Sequence, residues 1–287
     1  MDVNIRTIRP DDATQCARLI VEAFNGIADR HGFPRDFPSI ELATQRAASR
    51  IDDPSVYGVV AEKNGTVVGV NFLAEGDPIR AVGPIAVDPS VQGGGVGRLL
   101  MQAVLERARG SVSVRLVQDA FNTRSVALCA SLGFEVKEPL LLMCGTPRSN
   151  PILGLTVRSL TPEDISACEN LCASVHGYER SNELGNAIRV FTPFVVEREG
   201  RITGYMSAAT FWIMNHGVAE TEADMRALIS GAGSTSAEPI SFLLPTRQAS
   251  LFRWCLEEGL QVAKPMTLMN MGEYQQPRGY YFPSVLY

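Results

Sequence analysis

The chain has 287 residues, of which 45% are hydrophobic and 20% charged, and its formal net charge is −5. This composition is typical of a globular protein and excludes a disordered or fibrous one. It contains no run of Lys and Arg, so we expect no nucleic-acid partner. No apolar stretch approaches the length of a membrane span, so we expect no membrane insertion. The amino-terminal sequence MDVNIRTIRPDD lacks the basic and apolar regions of a signal peptide.

The cysteines and histidines do not form the patterns of a metal site. Six scattered cysteines lack the CxxC pairs of zinc sites, and the chain has three histidines. Cys168 and Cys172 lie four residues apart on a predicted helix, and we interpret them as small core residues. We therefore expect no bound metal and a reducing, cytoplasmic location.

The chain begins with a predicted strand and an amphipathic helix, and it repeats this opening. Residues 5–19 (IRTIRPDDATQCARL) match residues 157–171 (VRSLTPEDISACENL). In both copies a proline and acidic residues precede the helix, where they favour its first turn. Residues 57–70 and 193–206 then each predict a β-hairpin with a glycine in the turn. The repeat predicts two related domains.

A loop rich in Gly, Pro, Ser and Asn at 144–154 separates the two copies. We therefore place the first domain at 1–147 and the second at 152–287. Each copy predicts an α/β (α+β) fold, in which helices flank a mixed sheet.

The first domain contains a glycine-rich segment between a predicted strand at 83–87 and a helix from about Arg98. Three consecutive glycines and Gly97 stand at the start of this helix, although glycine lowers helix propensity. The first amides of a helix have no internal acceptor and attract anions, and glycines let a phosphate approach them closely. The segment fits either a phosphate-binding loop or a turn that binds nothing.

Two motifs resemble the GCN5-related N-acetyltransferase superfamily. The stretch VDPSVQGGGVGRLLM resembles its acyl-CoA signature, Gln/Arg-x-x-Gly-x-Gly/Ala, at Gln92, Gly95 and Gly97. The stretch DAFNTRSVALCASLGFEV resembles its later motif at Asn122, Ser125, Gly133 and Phe134. The resemblance covers about residues 55–140. The second copy has no glycine run before its predicted helix near Thr221. Together with the repeat, the resemblance implies two tandem acyltransferase-like domains with mostly antiparallel sheets, of which the second is degenerate.

The resemblance implies that acetyl-CoA is the cosubstrate and that an amine attacks its thioester directly. It implies that the pantetheine arm pairs with the strand and that the pyrophosphate lies on the loop amides. A backbone amide of the strand would polarise the thioester carbonyl. The implied cofactor-binding residues are Ile85, Ala86, Val87, Gln92, Gly93, Gly94, Gly95, Val96, Gly97, Arg98, Asn122 and Ser125.

The candidate catalytic residues depart from the superfamily pattern. Cys129 stands where a Tyr often serves as the general acid, and it fits either a thiol acid or a packed core side chain. Glu75, at a predicted strand end, is our candidate general base, and Asp119 is the next candidate. A solvated acidic residue at a strand end is the competing interpretation for both.

Three residues are candidates for contacts on the acceptor side. We expect Asn71 and the carboxyl-terminal Tyr287 to bind substrate. His216 fits a proton acceptor, a substrate contact or a hydrogen-bonded structural histidine. The acceptor would be an amine of a small molecule or peptide, and the protein a monomer or homodimer.

The sequence therefore predicts an acetyl-CoA-dependent N-acetyltransferase. A non-catalytic acetyl-CoA sensor is the alternative, and an interaction protein whose glycine loop is a simple turn is the third possibility.

Overall fold

The structure is a computed structural model that describes residues 3–148 and 152–286. These residues form two compact units. The first unit contains the described residues up to Leu116 together with Phe121–Phe134. The second contains Val117–Ala120 together with the described residues from Glu135 onward.

The first unit is a sheet with helices packed on it. Its strands are β1 (Asn4–Thr7), β2 (Val56–Lys63), β3 (Thr66–Ala74), β4 (Ile79–Val82), β5 (Ala86–Val87) and most of β6 (Ser113–Asp119). Its helices are α1 (Ala13–His31), α2 (Ile40–Asp52), α3 (Val96–Arg107) and α4 (Thr123–Ser131). The strand order is β1-β2-β3-β4-β6, and only the described β4–β6 pair is parallel. Cys16, Leu19 and Ile20 of α1 belong to its buried apolar core.

The second unit contains two groups of paired strands. Its strands are β7 (Glu135–Gly145), β8 (Leu155–Ser159), β9 (Phe194–Arg198), β10 (Arg201–Met206), β11 (Gly217–Ala219), β12 (Ile240–Pro245), β13 (Gln261–Gly272) and β14 (Tyr280–Phe282). Its helices are α5 (Ile165–His176), α6 (Ser181–Val190), α7 (Glu222–Thr235) and α8 (Ala249–Glu257). β7 pairs with both β12 and β13, and the other group has the order β14-β11-β10-β9-β8. The mixed, mostly antiparallel fold predicted from the sequence is confirmed.

The predicted start of each copy is present in the structure. A short 3-10 turn, Pro10–Asp12 or Pro162–Asp164, precedes the first helix of each copy. Arg158 donates to Asp164 at 2.6 Å, and these hydrogen bonds lower the pKa of Asp164 to about 2. Arg6 and Asp12 form the same pair at 2.7 Å in the first copy. The two copies therefore share side-chain contacts as well as sequence.

Two local predictions need correction. The strand predicted at 83–87 is shorter, because β4 ends at Val82 and β5 contains only Ala86 and Val87. Helix α3 begins at Val96 rather than near Arg98. The domain boundaries at 1–147 and 152–287 stay a prediction, although β7 lies within 1–147 in sequence and packs in the second unit.

Candidate active site

The sheet of the first unit opens where β4 gives way to β5. β4 pairs in parallel with β6 only from Ile79 to Ala81. On β3, Leu73 pairs with Val82 of β4 and Val70 pairs with Ala86 of β5. Three residues separate Val82 from Ala86, but only two separate Val70 from Leu73, so the chain forms a β-bulge between β4 and β5. Beyond the bulge, β5 pairs with β3 alone among the described strands. The other edge of β5 is therefore open.

Val87 presents its backbone to this open edge. The Asp88 amide donates to Val68 O at 2.9 Å, so Asp88 faces β3. Successive residues of an antiparallel strand alternate in direction, so the Val87 N–H and C=O face away from β3. Gln92 Nε2 donates to Val87 O at 3.0 Å. The carbonyl is thus occupied by a loop side chain, and the Val87 amide is left as a donor.

The glycine loop continues from this strand to the mouth of α3. Asp88 Oδ1 accepts hydrogen bonds from the Ser90 amide and hydroxyl, which lower the pKa of Asp88. Gly93 and Gly95 both have φ of +86°, a backbone region that side-chain-bearing residues rarely adopt. Gly95 is the N-cap of α3, and no side chain caps the helix. Glycine adopts this left-handed backbone without the cost in stability that a side chain would add at these two positions.

Gly97 serves packing rather than conformation. A Cβ at this position would lie 3.3 Å from Leu128 Cδ2 of α4, which is tighter than ordinary contact. The absence of a side chain therefore lets α3 and α4 approach each other. Glycine content alone did not distinguish this role from that of Gly95.

The mouth of α3 offers several unused donors. Within residues 3–148 and 152–286, we find no acceptor for the amides of Gly95, Val96, Gly97 and Arg98. The loop at Gln92, Gly93 and Gly95 is exposed. Such amides carry a partial positive charge and favour a bound anion. The arrangement can hold a phosphate group.

Two arginines add positive charge beside the loop. Arg98 Nη2 donates to Ser131 Oγ at 2.7 Å, and Arg124 Nη1 donates to Gln92 Oε1 at 3.4 Å. Arg124 Nη2 lies 3.5 Å from the position that a Cβ on Gly93 would occupy. Both arginines are exposed. Arg124 is absent from the residues predicted from the sequence, although its place two residues after Asn122 is a signal that identifies it.

The second unit fills the corresponding places with its own chain. Thr221 and Asp224 form a reciprocal capping box at the start of α7, and Asp224 also accepts from Thr203 Oγ1 at 2.8 Å. β14 pairs with β11, the strand that precedes α7. A Cβ at Gly217 would overlap the Phe282 ring. The helix mouth and the strand edge are thus both occupied, which accords with the predicted degeneracy of this copy.

Helix α4 carries the residues of the second motif. Asn122 is its N-cap, and its side-chain oxygen accepts from the Ser125 amide at 3.3 Å. This explains the Asn-x-x-Ser spacing by helix capping. Cys129 lies on the same helix with 2% exposure. The structure gives this thiol a packed position, and its catalytic role stays a prediction.

Two of the acceptor-side candidates, Glu75 and Asn71, have internal partners. Glu75 forms a bidentate pair with Arg107, with Oε–N distances of 2.9 and 3.1 Å. Asn71 is fully buried between β3 and α3, where its oxygen accepts from the Phe72 amide and its nitrogen contacts Leu100 O. It therefore has no surface to offer a substrate. Tyr287 lies outside the described residues.

Asp119 and His216 are held by internal partners in the second unit. Asp119 pairs with Lys264 at 2.7 Å, and both side chains are almost fully buried. His216 Nε2 lies 3.1 Å from the Tyr205 hydroxyl, and burial lowers the pKa of His216 well below its usual value. These contacts favour structural roles for both residues.

An aromatic stack stands next to Asn122 in the first unit. The Phe33 and Phe121 rings stack with centroids 4.3 Å apart, and His31 lies 5.3 Å from Phe121. Phe33 and Phe121 are half-buried. Their pairing is not visible in the sequence, because Phe33 and Phe121 are far apart in the chain and only folding brings them together.

Two further properties of the described residues concern membranes and metals. No helix in them is both long and apolar enough to cross a membrane. Among the same residues, no group of three or more His, Cys, Asp or Glu side chains is arranged to hold a metal ion.

Comparison with known sequences gives matches to acetyltransferases. The profile of the acetyltransferase (GNAT) family matches residues 20–134. N-alpha-acetyltransferase RimI of Mycobacterium tuberculosis is 34% identical over 137 residues, which cover 46% of this chain and 78% of that protein. A mycothiol acetyltransferase of Thermomonospora curvata is 32% identical over 136 residues, covering 46% of this chain but only 44% of that relative.

Comparison with solved structures extends over nearly the whole chain. A Pyrococcus horikoshii structure has a TM-score of 0.77 at 16% identity, covering 98% of this chain and 94% of that one. A tandem GNAT protein from the clavulanic acid biosynthesis pathway has a TM-score of 0.60 at 14% identity, covering 96% of this chain and all of that one. At these identities the likeness establishes the fold.

Proposed function

The chain belongs to the acetyltransferase (GNAT) family, and on that premise we propose that it transfers the acetyl group of acetyl-CoA to an amine of a small molecule or peptide. The family and the named relatives support an N-acetyltransferase in general. The relatives are named as an N-alpha-acetyltransferase and a mycothiol acetyltransferase, so they do not agree on one acceptor.

The observation that carries the proposal is the uncapped mouth of α3 next to the open edge of β5. The donors at Gly95–Arg98 and the guanidinium of Arg124 suit a pyrophosphate. The amide of Val87 suits an amide oxygen of an extended arm, in the way that one strand pairs with another. The residues present therefore fit acetyl-CoA, in which a phosphate-rich end is joined to such an arm.

Acetyl-CoA would supply the activated thioester. The loop amides, with Arg98 and Arg124, would hold its phosphates. A backbone amide within Ile85–Val87 would donate to the thioester carbonyl and stabilise the charge that develops there. Ala86 would keep its own backbone paired with β3. These residues would fix the carbonyl in the ternary complex, so that the amine attacks without a covalent enzyme intermediate.

Two side chains are proposed for the proton transfers. Glu75 would accept a proton from the incoming ammonium, either directly or through water. For that it would have to share its carboxylate with Arg107, which holds both oxygens. Cys129 would donate a proton to the leaving thiolate, since the reference pKa of a thiol, about 8.5, is close to that of the group it would protonate.

A non-catalytic acetyl-CoA sensor is the second candidate. The bidentate Glu75–Arg107 pair and the 2% exposure of Cys129 favour it, because neither group is presented as a free acid or base. The sensor and the enzyme share the same cofactor site. They differ in turnover alone.

Two measurements on the intact chain test the proposal. Calorimetric titration with acetyl-CoA should give one site per chain, because α7 and β11 are closed by Asp224 and β14. Release of CoA thiol should then be followed over a panel of peptide, sugar and polyamine amines. Binding with turnover supports the enzyme, and binding without turnover on any amine supports the sensor. No binding contradicts both.

A further inference from the structure

We propose that the second unit contains a separate binding site for a small organic carboxylate, centred on Arg247. A shallow cavity of about 650 Å³, largely open to solvent, lies between the first residues of β7, the end of β12 and the segment after β13. This volume lies in the range of small-molecule sites. The lining residues that the argument uses are Lys137, Glu138, Arg247 and Tyr274.

Glu138 fixes the position of the Arg247 guanidinium. Arg247 Nε donates to Glu138 Oε1 at 2.7 Å, and the Tyr274 hydroxyl donates to the same oxygen at 3.3 Å. The Glu138 side chain is 4% exposed, whereas that of Arg247 is 31% exposed. The guanidinium also lies over the Tyr281 ring, 5.3 Å from its centroid. Buried Glu138 therefore fixes the guanidinium of Arg247, and the exposed part of the Arg247 side chain lines the cavity.

The outer edge of this guanidinium is weakly engaged. Nη2 has a 3.5 Å contact with Pro277 O, at the limit of a hydrogen bond. The Tyr281 hydroxyl also interacts with this guanidinium, but its geometry is not that of a hydrogen bond, and in the described part of the chain we find no shorter hydrogen bond for either terminal nitrogen. A guanidinium edge with two parallel N–H groups matches the two oxygens of a carboxylate. Arg247 is thus prepared for a bidentate ligand.

The surroundings add positive potential. Lys137 lines the same cavity, and its ion-pair partner Glu135 is 73% exposed, so this pair is a weak surface interaction. Helix α8 begins two residues after Arg247, with Gln248 as an N-cap that makes no side-chain capping bond. The positive end of a helix favours an anion. Each cation has one carboxylate partner, Glu138 for Arg247 and Glu135 for Lys137, but Glu135 is not among the residues that line the cavity.

The internal repeat indicates why this cavity differs from the site of the first unit. Helices α4 and α8 have equal lengths and begin at Thr123 and Ala249, an offset of 126 residues that also relates Phe121 to Arg247. The second copy thus has a cation where the first has a ring of the aromatic stack. Because Asp224 and Phe282 fill the helix mouth and strand edge of this copy, the cavity would take its ligand without acetyl-CoA.

The site is tested by titrating the 287-residue chain with succinate at low ionic strength. Binding is measured by calorimetry and by ligand-observed NMR. We expect one succinate per chain. Arg247→Lys keeps a cation against Glu138 but loses the fork, and it should weaken succinate binding at least tenfold. Lys137→Gln should weaken it severalfold. The matched control Arg253→Gln, on the exposed face of α8, should leave it unchanged, and acetyl-CoA affinity should not change in any variant.

Several outcomes would overturn the assignment. One is the absence of succinate binding; another is equal affinity in the wild type and both cavity variants. Inorganic phosphate that binds with the same Arg247 dependence, when succinate does not, would also refute a carboxylate ligand. If Arg247→Lys does not fold, Lys137→Gln decides. Because acetyl-CoA binding is measured in parallel, failure here is separate from failure of the proposed function.

Discussion

Replacing Gly95 by Glu should abolish most acetyl-CoA binding without unfolding the protein. Gly95 is the exposed N-cap of α3, and a Cβ there would meet no atom within 4 Å. The new side chain would place a carboxylate over the amides proposed to hold the pyrophosphate. Gly110 provides a matched control, because its φ of +87° equals that of Gly95 within a degree, and its Cβ would also enter open space.

The magnitude follows from electrostatics. Two unit charges about 4 Å apart repel each other by about 1 kcal/mol in water and about 4 kcal/mol near a protein surface. These energies correspond to an increase in Kd from about 5-fold to about 1000-fold. We expect a loss of at least tenfold for Gly95→Glu, since the carboxylate also occupies the ligand's space. The left-handed backbone should lower the stability of both Glu variants by about 1–2 kcal/mol.

The assay compares acetyl-CoA affinity by calorimetry with unfolding by urea for both variants. Gly110→Glu should bind like the wild type, and the defect of Gly95→Glu should shrink in 1 M salt, which screens exposed charges. Gly95→Ala adds neither charge nor much volume, so it should bind within about threefold of the wild type. The reasoning is refuted if Gly95→Glu and Gly110→Glu bind acetyl-CoA equally well.

Three further predictions concern other parts of the molecule. Cys129→Ser should lower kcat less than tenfold if the thiol only packs, whereas a much larger loss with unchanged acetyl-CoA affinity would indicate a proton donor. A fragment 1–147 should lack a cooperative urea transition by circular dichroism, because β7 would lose its partners β12 and β13; a folded fragment would contradict this. The depressed pKa of buried His216 means that below about pH 6.5 the unfolded chain binds a proton that the folded one refuses. As the pH is lowered below about 6.5, the free energy of unfolding should therefore fall by up to about 1.4 kcal/mol per pH unit. The His216→Gln variant should show a weaker pH dependence in urea titrations at pH 5 to 8.

The sequence predicts turns and helix starts well where the local backbone geometry favours one type of residue. The turn between β2 and β3 has Asn64 and Gly65 at φ of +51° and +76°, and the turn between β9 and β10 has the matching pair Glu199 and Gly200. Thr221 is the N-cap of α7, as its place before the acidic residues indicates. These positions depend on a few neighbouring residues, which the sequence displays directly.

The sequence predicts the glycine loop of the candidate site better than it predicts the polar side chains around it. The loop from Gln92 to Arg98 follows from a contiguous motif. Asn71 was assigned to the substrate side, yet its amide is consumed by the Phe72 backbone and the contact with Leu100. The strand-end position of Glu75 suggests a general base or a solvated carboxylate, whereas folding pairs it with Arg107. Whether a polar side chain is available depends on partners that are distant in sequence.

Sequence patterns alone are enough to predict the repeat, the mixed fold and the difference between a glycine-rich and a glycine-free helix start, because these features depend on local propensity and spacing. Only the tertiary structure separated the reasons for the glycines: Gly93 and Gly95 for positive φ, Gly97 for contact with Leu128. It alone placed Arg124 beside the loop and β14 against β11. Both depend on which surfaces meet when the chain folds, and that is a property of packing rather than of spacing along the chain.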